Sequence, residues 1–247
     1  MKALSHSPYK YVQKTEKKYP TAWKEIAGFR KDKGIDLPDW PDWCYIPMAA
    51  GAAIVSGGDD RRIGMHNSPD ISIVTGLAAW RNTRGVYRFD EALFGKLWSR
   101  SIADIPFDVI FNLPEKCCYI EIPKHFHGDL GIVGFFVFLE YDVNEEHAEI
   151  RFLLDYSNKL VAHFKHVEDE SFEEYKEYMD LFNQIFPNFI NPEIATNKVE
   201  NLSEKLLSIS LYLCSKDADI VYAPVNKLNK KKDAIRKVGF ESEVRCV

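Results

Sequence analysis

The chain has 247 residues, enough for one sizeable core or two small ones, and its 46% hydrophobic and 28% charged composition excludes a disordered polymer. A net charge of −5 excludes a global electrostatic footprint for nucleic acid but leaves local basic patches open. Aromatic residues make up 13%, so large flat side chains must dominate the core or a binding surface.

In chain order, residues 8–33 predict a lysine-rich amphipathic helix with Tyr11, Tyr19, Trp23, Ile26 and Phe29 as apolar contacts. "GIDLPDWPDW" breaks it, and "CYIPMAAGAAIVSG" follows as a short helix of small residues stopped by Gly57 and Gly58. "DDRRIGMHNSPD" reads as a polar loop, after which Asp70 is placed to cap a helix over 71–83 that turns Ile71, Val74, Leu77 and Ala78 to one side. Asp90 is a predicted N-cap for "EALFGKLWSR", with Leu93, Leu97 and Trp98 inward, and "DIPFDVIFNLP" fits a short helix with Pro106 in its first turn. The period then changes to two: "KCCYIEIP", "IVGFFVFLEYDV", "AEIRFLLDY" and "KLVAHFKHV" predict four strands, the second and third joined by a hairpin-length "NEEH". Residues 171–186 carry a capping-box helix, and "KVENLSEKLLSISLYLCS" predicts another through Val199, Leu202, Leu206, Ile209 and Leu213.

The expected fold is α+β, an antiparallel sheet of about four strands over roughly residues 116–168 packed against N-terminal and C-terminal helices. Residues 1–60 form an N-terminal helical segment, 61–225 the α+β core and 226–247 a basic C-terminal segment, all in one compact domain. The five cysteines, Cys44, Cys117, Cys118, Cys214 and Cys246, are odd in number and form no C-x-x-C, which points to reduced thiols. "MKALSHSPYKYVQKTEKKYP" has no apolar stretch of signal-peptide length and no run approaches a membrane span, so a soluble protein of the cytoplasm is expected.

Three chemistries merit testing against the residues. Glu121, Glu140, Asp142, Glu149 and Asp155 fall on predicted strands, where clustered carboxylates hold Mg²⁺ in many nucleases; the simpler account is that they face water on one side of an antiparallel sheet. His125 and His127 supply two ligands toward zinc, but Cys117 and Cys118 must point to opposite strand faces and give one usable thiol at most. No nucleophile elbow, P-loop or dinucleotide fingerprint occurs. No catalytic residue, metal or cofactor is therefore expected.

One stretch, "LAAWRNTRGVYRF", sets Arg81, Asn82 and Arg84 among Trp80, Tyr87 and Phe89. Arginine beside aromatic rings stacks on them and binds carboxylates or carbonyls in a fork, a combination suited to recognition. Equally, Arg81 or Arg84 can cap the end of the 71–83 helix or pair with Asp90 or Glu91.

The blocks "AWRNTRGVY" and "LPEKCCY", with "GFFVFLEYD" and "LSISLYLCSKDADIVYAPV" after them, resemble the type V-A anti-CRISPR family, over about Ile71 to Val225 with an echo in "SEVR". Trp80, Arg81, Asn82, Gly85, Tyr87, Leu113, Pro114, Cys118 and Tyr119 match its motifs, although Gly85 also fits a helix C-cap and Leu113 and Tyr119 a core. Lys116 departs from a usual Trp, and longer relatives continue past the "SEVR" segment with a basic tail. The resemblance implies a non-enzymatic protein, carried by phages or plasmids and acting in the bacterial host cytoplasm. Such a protein binds the N-terminal segment of the type V-A effector nuclease as it leaves the ribosome and promotes loss of the effector mRNA. Peptide contact is then expected from Trp80, Arg81, Asn82, Arg84, Tyr87 and Tyr119, in a groove or along a sheet edge. Lys230, Lys231, Lys232 and Arg236 are candidates for contact with RNA or ribosome. The competing expectation is a metal-dependent nuclease or RNA-binding factor using the strand carboxylates or the basic C-terminal segment.

Overall fold

A computed structural model describes residues 8–35, 37–64, 67–100, 107–128, 131–143, 147–166, 192–222 and 234–238. The predicted helix over 171–186, Lys230, Lys231, Lys232 and the "SEVR" segment lie outside these residues.

The N-terminal helix is two helices, α1 (Tyr9–Lys18) and α2 (Ala22–Lys31). Pro20 between them lacks the amide hydrogen a continuous helix needs, and it pushes Tyr19 out of helical backbone, to φ −128° and ψ 80°. Helix α3 (Met48–Ser56) ends at Gly57 in the left-handed region, as the glycine pair predicts. Helix α4 (Pro69–Thr83) begins one residue before the expected cap. Ser68 stands at the N-cap position, and Asp70 instead bonds across to α1 and beyond it, through Lys18 and the Tyr19 hydroxyl, the latter at 2.6 Å. Asp90 does cap α5 (Glu91–Trp98), accepting from the amides of Ala92 and Leu93 at 3.0 Å each. Leu97 is buried as expected, but its companion in the core is Phe94 rather than Leu93 or Trp98, which are only partly buried. A short α6 (Phe107–Ile110) and a long α7 (Pro192–Cys214) complete the helices among the described residues.

The sheet has seven strands in the order β5-β4-β3-β2-β1-β7-β6. Four are the predicted ones: β2 (Cys117–Glu121), β3 (Gly134–Asp142), β4 (His147–Asp155) and β5 (Leu160–His166), each antiparallel to the next. Beyond β2 the sheet continues, so the expectation of about four strands falls short. Strand β1 (Gly85–Phe89) runs parallel to both β2 and β7 (Ala234–Val238), and β6 (Ile220–Tyr222) closes that edge antiparallel to β7. The sheet is therefore mixed, in an α+β chain.

Both faces are covered. On one, Tyr87, Cys118, Ile120, Phe135, Val137, Phe152 and Leu154 pack with Phe94 of α5 and Leu202, Leu206, Ile209 and Leu213 of α7. On the other, Val86, Cys117, Tyr119, Phe136, Phe138 and Leu153 pack with Tyr11 and Val12 of α1 and Leu77 and Trp80 of α4. A strand buried on both faces loses the polar alternation, which is why β3 reads as an unbroken apolar run. Gly76 of α4 lies so close to the Phe138 ring that a Cβ there would overlap it, fixing how near the helix rides on the sheet.

Covering both faces also overturns the expectation that the strand carboxylates meet water for Glu140, Glu149 and Asp155, while Glu121 and Asp142 stay partly exposed. Asp155 is fully buried, accepting from the Tyr11 and Tyr119 hydroxyls, the latter at 2.9 Å, and from the Ser157 amide at 2.7 Å. Glu140 and Glu149 face each other in the β3–β4 register, and both are buried. Arg151 lies between them, with Nε 2.8 Å from Glu140 and Nη2 in contact with Glu149, and Thr75 donates to Glu140 at 2.8 Å. Burial pushes the Glu140 pKa upward against the pull of Arg151. Because Asp155 ties α1 to the sheet, Asp155→Ala leaves two buried hydroxyls without their acceptor. We expect a loss of about 2–4 kcal/mol in chemical denaturation, well beyond a surface substitution; a midpoint within error of the parent protein would show the tie to be dispensable.

Candidate functional site

The two motif blocks meet at the C-terminal end of α4. Arg84 is its C-cap, in the left-handed region at φ 52°, so the turn the sequence assigns to Gly85 belongs to Arg84, and Gly85 opens β1. Gly85 is required for a different reason: a Cβ there would overlap the Glu115 carboxylate. Glu115, from the second block, accepts from the Thr83 hydroxyl and from Arg236 of β7, through Nη2 at 3.0 Å and Nε at 3.2 Å. The Trp80 indole donates to the Gly85 carbonyl at 2.9 Å. These bonds clamp α4, β1, β2 and β7 at one point.

This geometry divides the predicted site residues. Trp80, Tyr87 and Tyr119 are each no more than 1% exposed. Their rings are core, Trp80 and Tyr119 packing edge-on against Phe136. Arg236 is 5% exposed and held by Glu115, which removes it from any RNA-contacting surface; its charge belongs to a buried pair. Arg81, Asn82 and Arg84 stay accessible. Neither arginine bonds Asp90 or Glu91; Asp90 caps α5, and His125 is the neighbour of Glu91 at 3.2 Å.

What the arginines do instead is stack. The Arg81 guanidinium lies 4.5 Å from the Trp23 ring centroid, that of Arg84 4.3 Å from Tyr9, and that of Arg30 3.9 Å from Tyr45. Three helices and the 37–47 segment thus build one surface of alternating cations and rings. Among the described residues no carboxylate forms an ion pair with Arg30, Arg81 or Arg84, and Arg84 Nη1 is enclosed with no acceptor. Burial lowers the Arg81 pKa, and nearby Arg84 adds to this, against opposing effects from Tyr45, Glu16 and Tyr9. Beside the stacks lies a cavity of about 320 Å³, bounded by residues that include Arg30, Lys33, Tyr45, Asn82, Thr83 and Lys116. Stacked guanidiniums keep their N–H edges free in fixed planes, which suits carbonyls and carboxylates of an extended chain. The sequence singles out Arg81, Asn82 and Arg84 but not Tyr9, Trp23, Arg30 and Tyr45, since nothing local to those positions marks them as neighbours of α4.

Among the described residues the strand carboxylates, histidines and cysteines form no assembled site. Glu121 pairs with Arg88, Glu140 and Glu149 with Arg151, and Asp155 with two tyrosines. His125 and His127 take different partners, His127 bonding the Ile122 carbonyl at 2.9 Å. Cys117 and Cys118 enter opposite cores, as alternation predicts. Among the described residues there is no group of three or more His, Cys, Asp or Glu placed to hold a metal ion, and no helix long and apolar enough to cross a membrane.

The Anti-CRISPR type V subtype A2 family, AcrVA2-like, matches residues 87–243. The chain belongs to this family. An anti-CRISPR role and engagement of CRISPR effector machinery follow from that membership. The fold is similar to the crystal structure of AcrVA2, with a TM-score of 0.63 and 22% identity over 94% of this chain and 85% of that one. At that identity the likeness speaks for the fold. No curated protein matches the sequence. The family match begins at Tyr87, so it takes in Glu115 and Arg236 but starts just after Thr83 and Gly85.

The Glu115 clamp makes Gly85→Ala a sharp probe. The added methyl must expel the carboxylate, leaving Arg236 buried without its partner, at a cost of about 3–5 kcal/mol in chemical denaturation. Gly85→Ala with the stability of the parent would mean that Glu115 has another place to go.

Proposed function

We propose that this family member captures the N-terminal peptide of the type V-A effector nuclease as it emerges from the ribosome, and lowers effector production by promoting loss of its mRNA. Capture breaks no bond in the target. The observation that carries this reading is the surface of Arg30–Tyr45, Arg81–Trp23 and Arg84–Tyr9 stacks, whose guanidiniums lie over rings and form no ion pair among the described residues. A nascent segment is extended, so its carbonyls are unsatisfied by secondary structure and accept from such donors. Because the stacks are assembled before the partner arrives, little side-chain freedom is lost on binding. Arg81, Asn82 and Arg84 make the contacts in this reading. Trp80, Tyr87 and Tyr119 support them from within the core, as positioning residues.

Arg84 allows stability and binding to be separated. At φ 52° a glycine is at ease, so Arg84→Gly should keep the melting temperature within a few degrees while removing one stack. Calorimetry with a synthetic N-terminal peptide of a type V-A effector should show Arg81→Ala and Arg84→Gly each weakening binding by about 1–2 kcal/mol. In cells, the double variant should let the effector transcript recover. Undiminished affinity in both variants would remove this surface from the site, and a transcript unaffected by the parent protein would refute the mRNA step.

A further inference from the structure

We infer that the cavity beside the C-terminal end of α4 receives an acidic side chain, Asp or Glu, of the captured peptide. This rests on the peptide-capture reading and adds to it the chemistry of one contact. Arg30, Lys33 and Lys116 line the cavity, against the single carboxylate of Asp42. That carboxylate lies 2.9 Å from Lys33, but its side chain is fully exposed, so it neutralises Lys33 from the rim and from the water side. Lys116 is held by the Asp42 backbone carbonyl, a neutral acceptor, and shares the Asp42 carboxylate with Lys33 only at longer range. Arg30, over the Tyr45 ring, has no carboxylate partner among the described residues. Among the described residues the cavity wall holds three cationic side chains against the carboxylate of Asp42, with Asp39, 3.5 Å from Lys33, as a second counter-charge outside the wall. One positive charge therefore remains in excess, within a chain whose net charge is −5. Asn82 adds an amide at the same wall.

The walls fit a side chain with an apolar stem and an anionic tip. Trp40, Tyr45 and Ala79 supply apolar surface, and Trp40 and Cys44 are themselves buried. Burial pushes the Cys44 thiol up to about 12, so it stays neutral and does not repel an anion. A nucleic-acid strand fits less well. Single-stranded nucleic acid is gripped by bases stacking on open aromatic faces, and here Tyr45, Trp23 and Tyr9 each already carry a guanidinium.

The test uses fluorescence anisotropy with labelled peptides of about twenty residues from the N-terminus of a type V-A effector, each position replaced in turn by Glu and by Gln. The two side chains match in shape, so their difference isolates charge. We expect one position where Glu binds at least about tenfold tighter than Gln to the parent protein. That preference should fall below about twofold in Lys116→Gln and in Arg30→Gln, and persist in Lys116→Arg. Both residues are exposed, so melting temperatures close to the parent are expected, and Lys116→Arg serves as the charge-retaining control. If the unmodified peptide binds but no position prefers Glu, the acidic contact is wrong and capture stands. If no peptide binds, both fall. Displacement of bound peptide by a short RNA at equal concentration would assign the cavity to phosphate and overturn the inference.

Discussion

The Glu115 carboxylate is pressed against the bare Cα of Gly85 and held from two sides by Thr83 and Arg236. Buried ion pairs of this kind contribute little net stability compared with a well-packed apolar core, yet breaking one is costly, so their use is to specify an arrangement. Here the arrangement is long-range. Arg236 stands opposite Tyr87 in the parallel β1–β7 register, and Glu115 precedes β2 on the other side of β1. A slip of one residue along β7 would turn Arg236 to the other face and leave Glu115 buried with only a hydroxyl. The pair thus sets the register of a strand that joins the sheet from near the far end of the chain.

The same clamp fixes the surface above it. The Trp80 indole and the Thr83 hydroxyl are both consumed in holding the turn from α4 into β1, so the last turn of the helix is rigid. Arg81 and Arg84, one turn apart, would repel each other on a free helix. Separate rings, Trp23 from α2 and Tyr9 from α1, hold the two guanidiniums. The position of α1 depends in turn on Tyr11 reaching Asp155 in the sheet. Core and display surface are coupled through named bonds, and loosening the core would scatter the surface.

Local signals in the sequence carried local structure. Asp90 capping α5, the Gly57 stop of α3 and the four antiparallel strands were all legible, because each depends on residues near one another in the chain. The strands β1 and β7 were not. "GVYRF" is five residues between a helix end and a cap, and its partners lie about thirty and about one hundred and fifty residues on; parallel pairing across such gaps leaves no hairpin turn to read. Arg236 misled for a related reason. Seen among Lys230, Lys231 and Lys232 it reads as part of a basic surface, whereas strand pairing carries it inward to Glu115. Pro20 is legible in the sequence too, since an interior proline divides a helix that apolar spacing alone would run through.

The recognisable blocks and the accessible contacts are therefore different sets of residues. "AWRNTRGVY" and "LPEKCCY" hold residues that each meet a specific partner in the interior, Trp80, Thr83, Gly85, Glu115 and Tyr119 among them. The stacking surface draws on Tyr9, Trp23, Arg30 and Tyr45, which lie in ordinary helical and loop sequence. At physiological ionic strength charges in water are screened within about 8 Å, so an overall charge of −5 does not decide what approaches this face. The decision falls to contacts at hydrogen-bond range, and in the proposed capture the three guanidiniums over rings, next to a basic cavity, are what would select an extended acidic segment over a folded or cationic one.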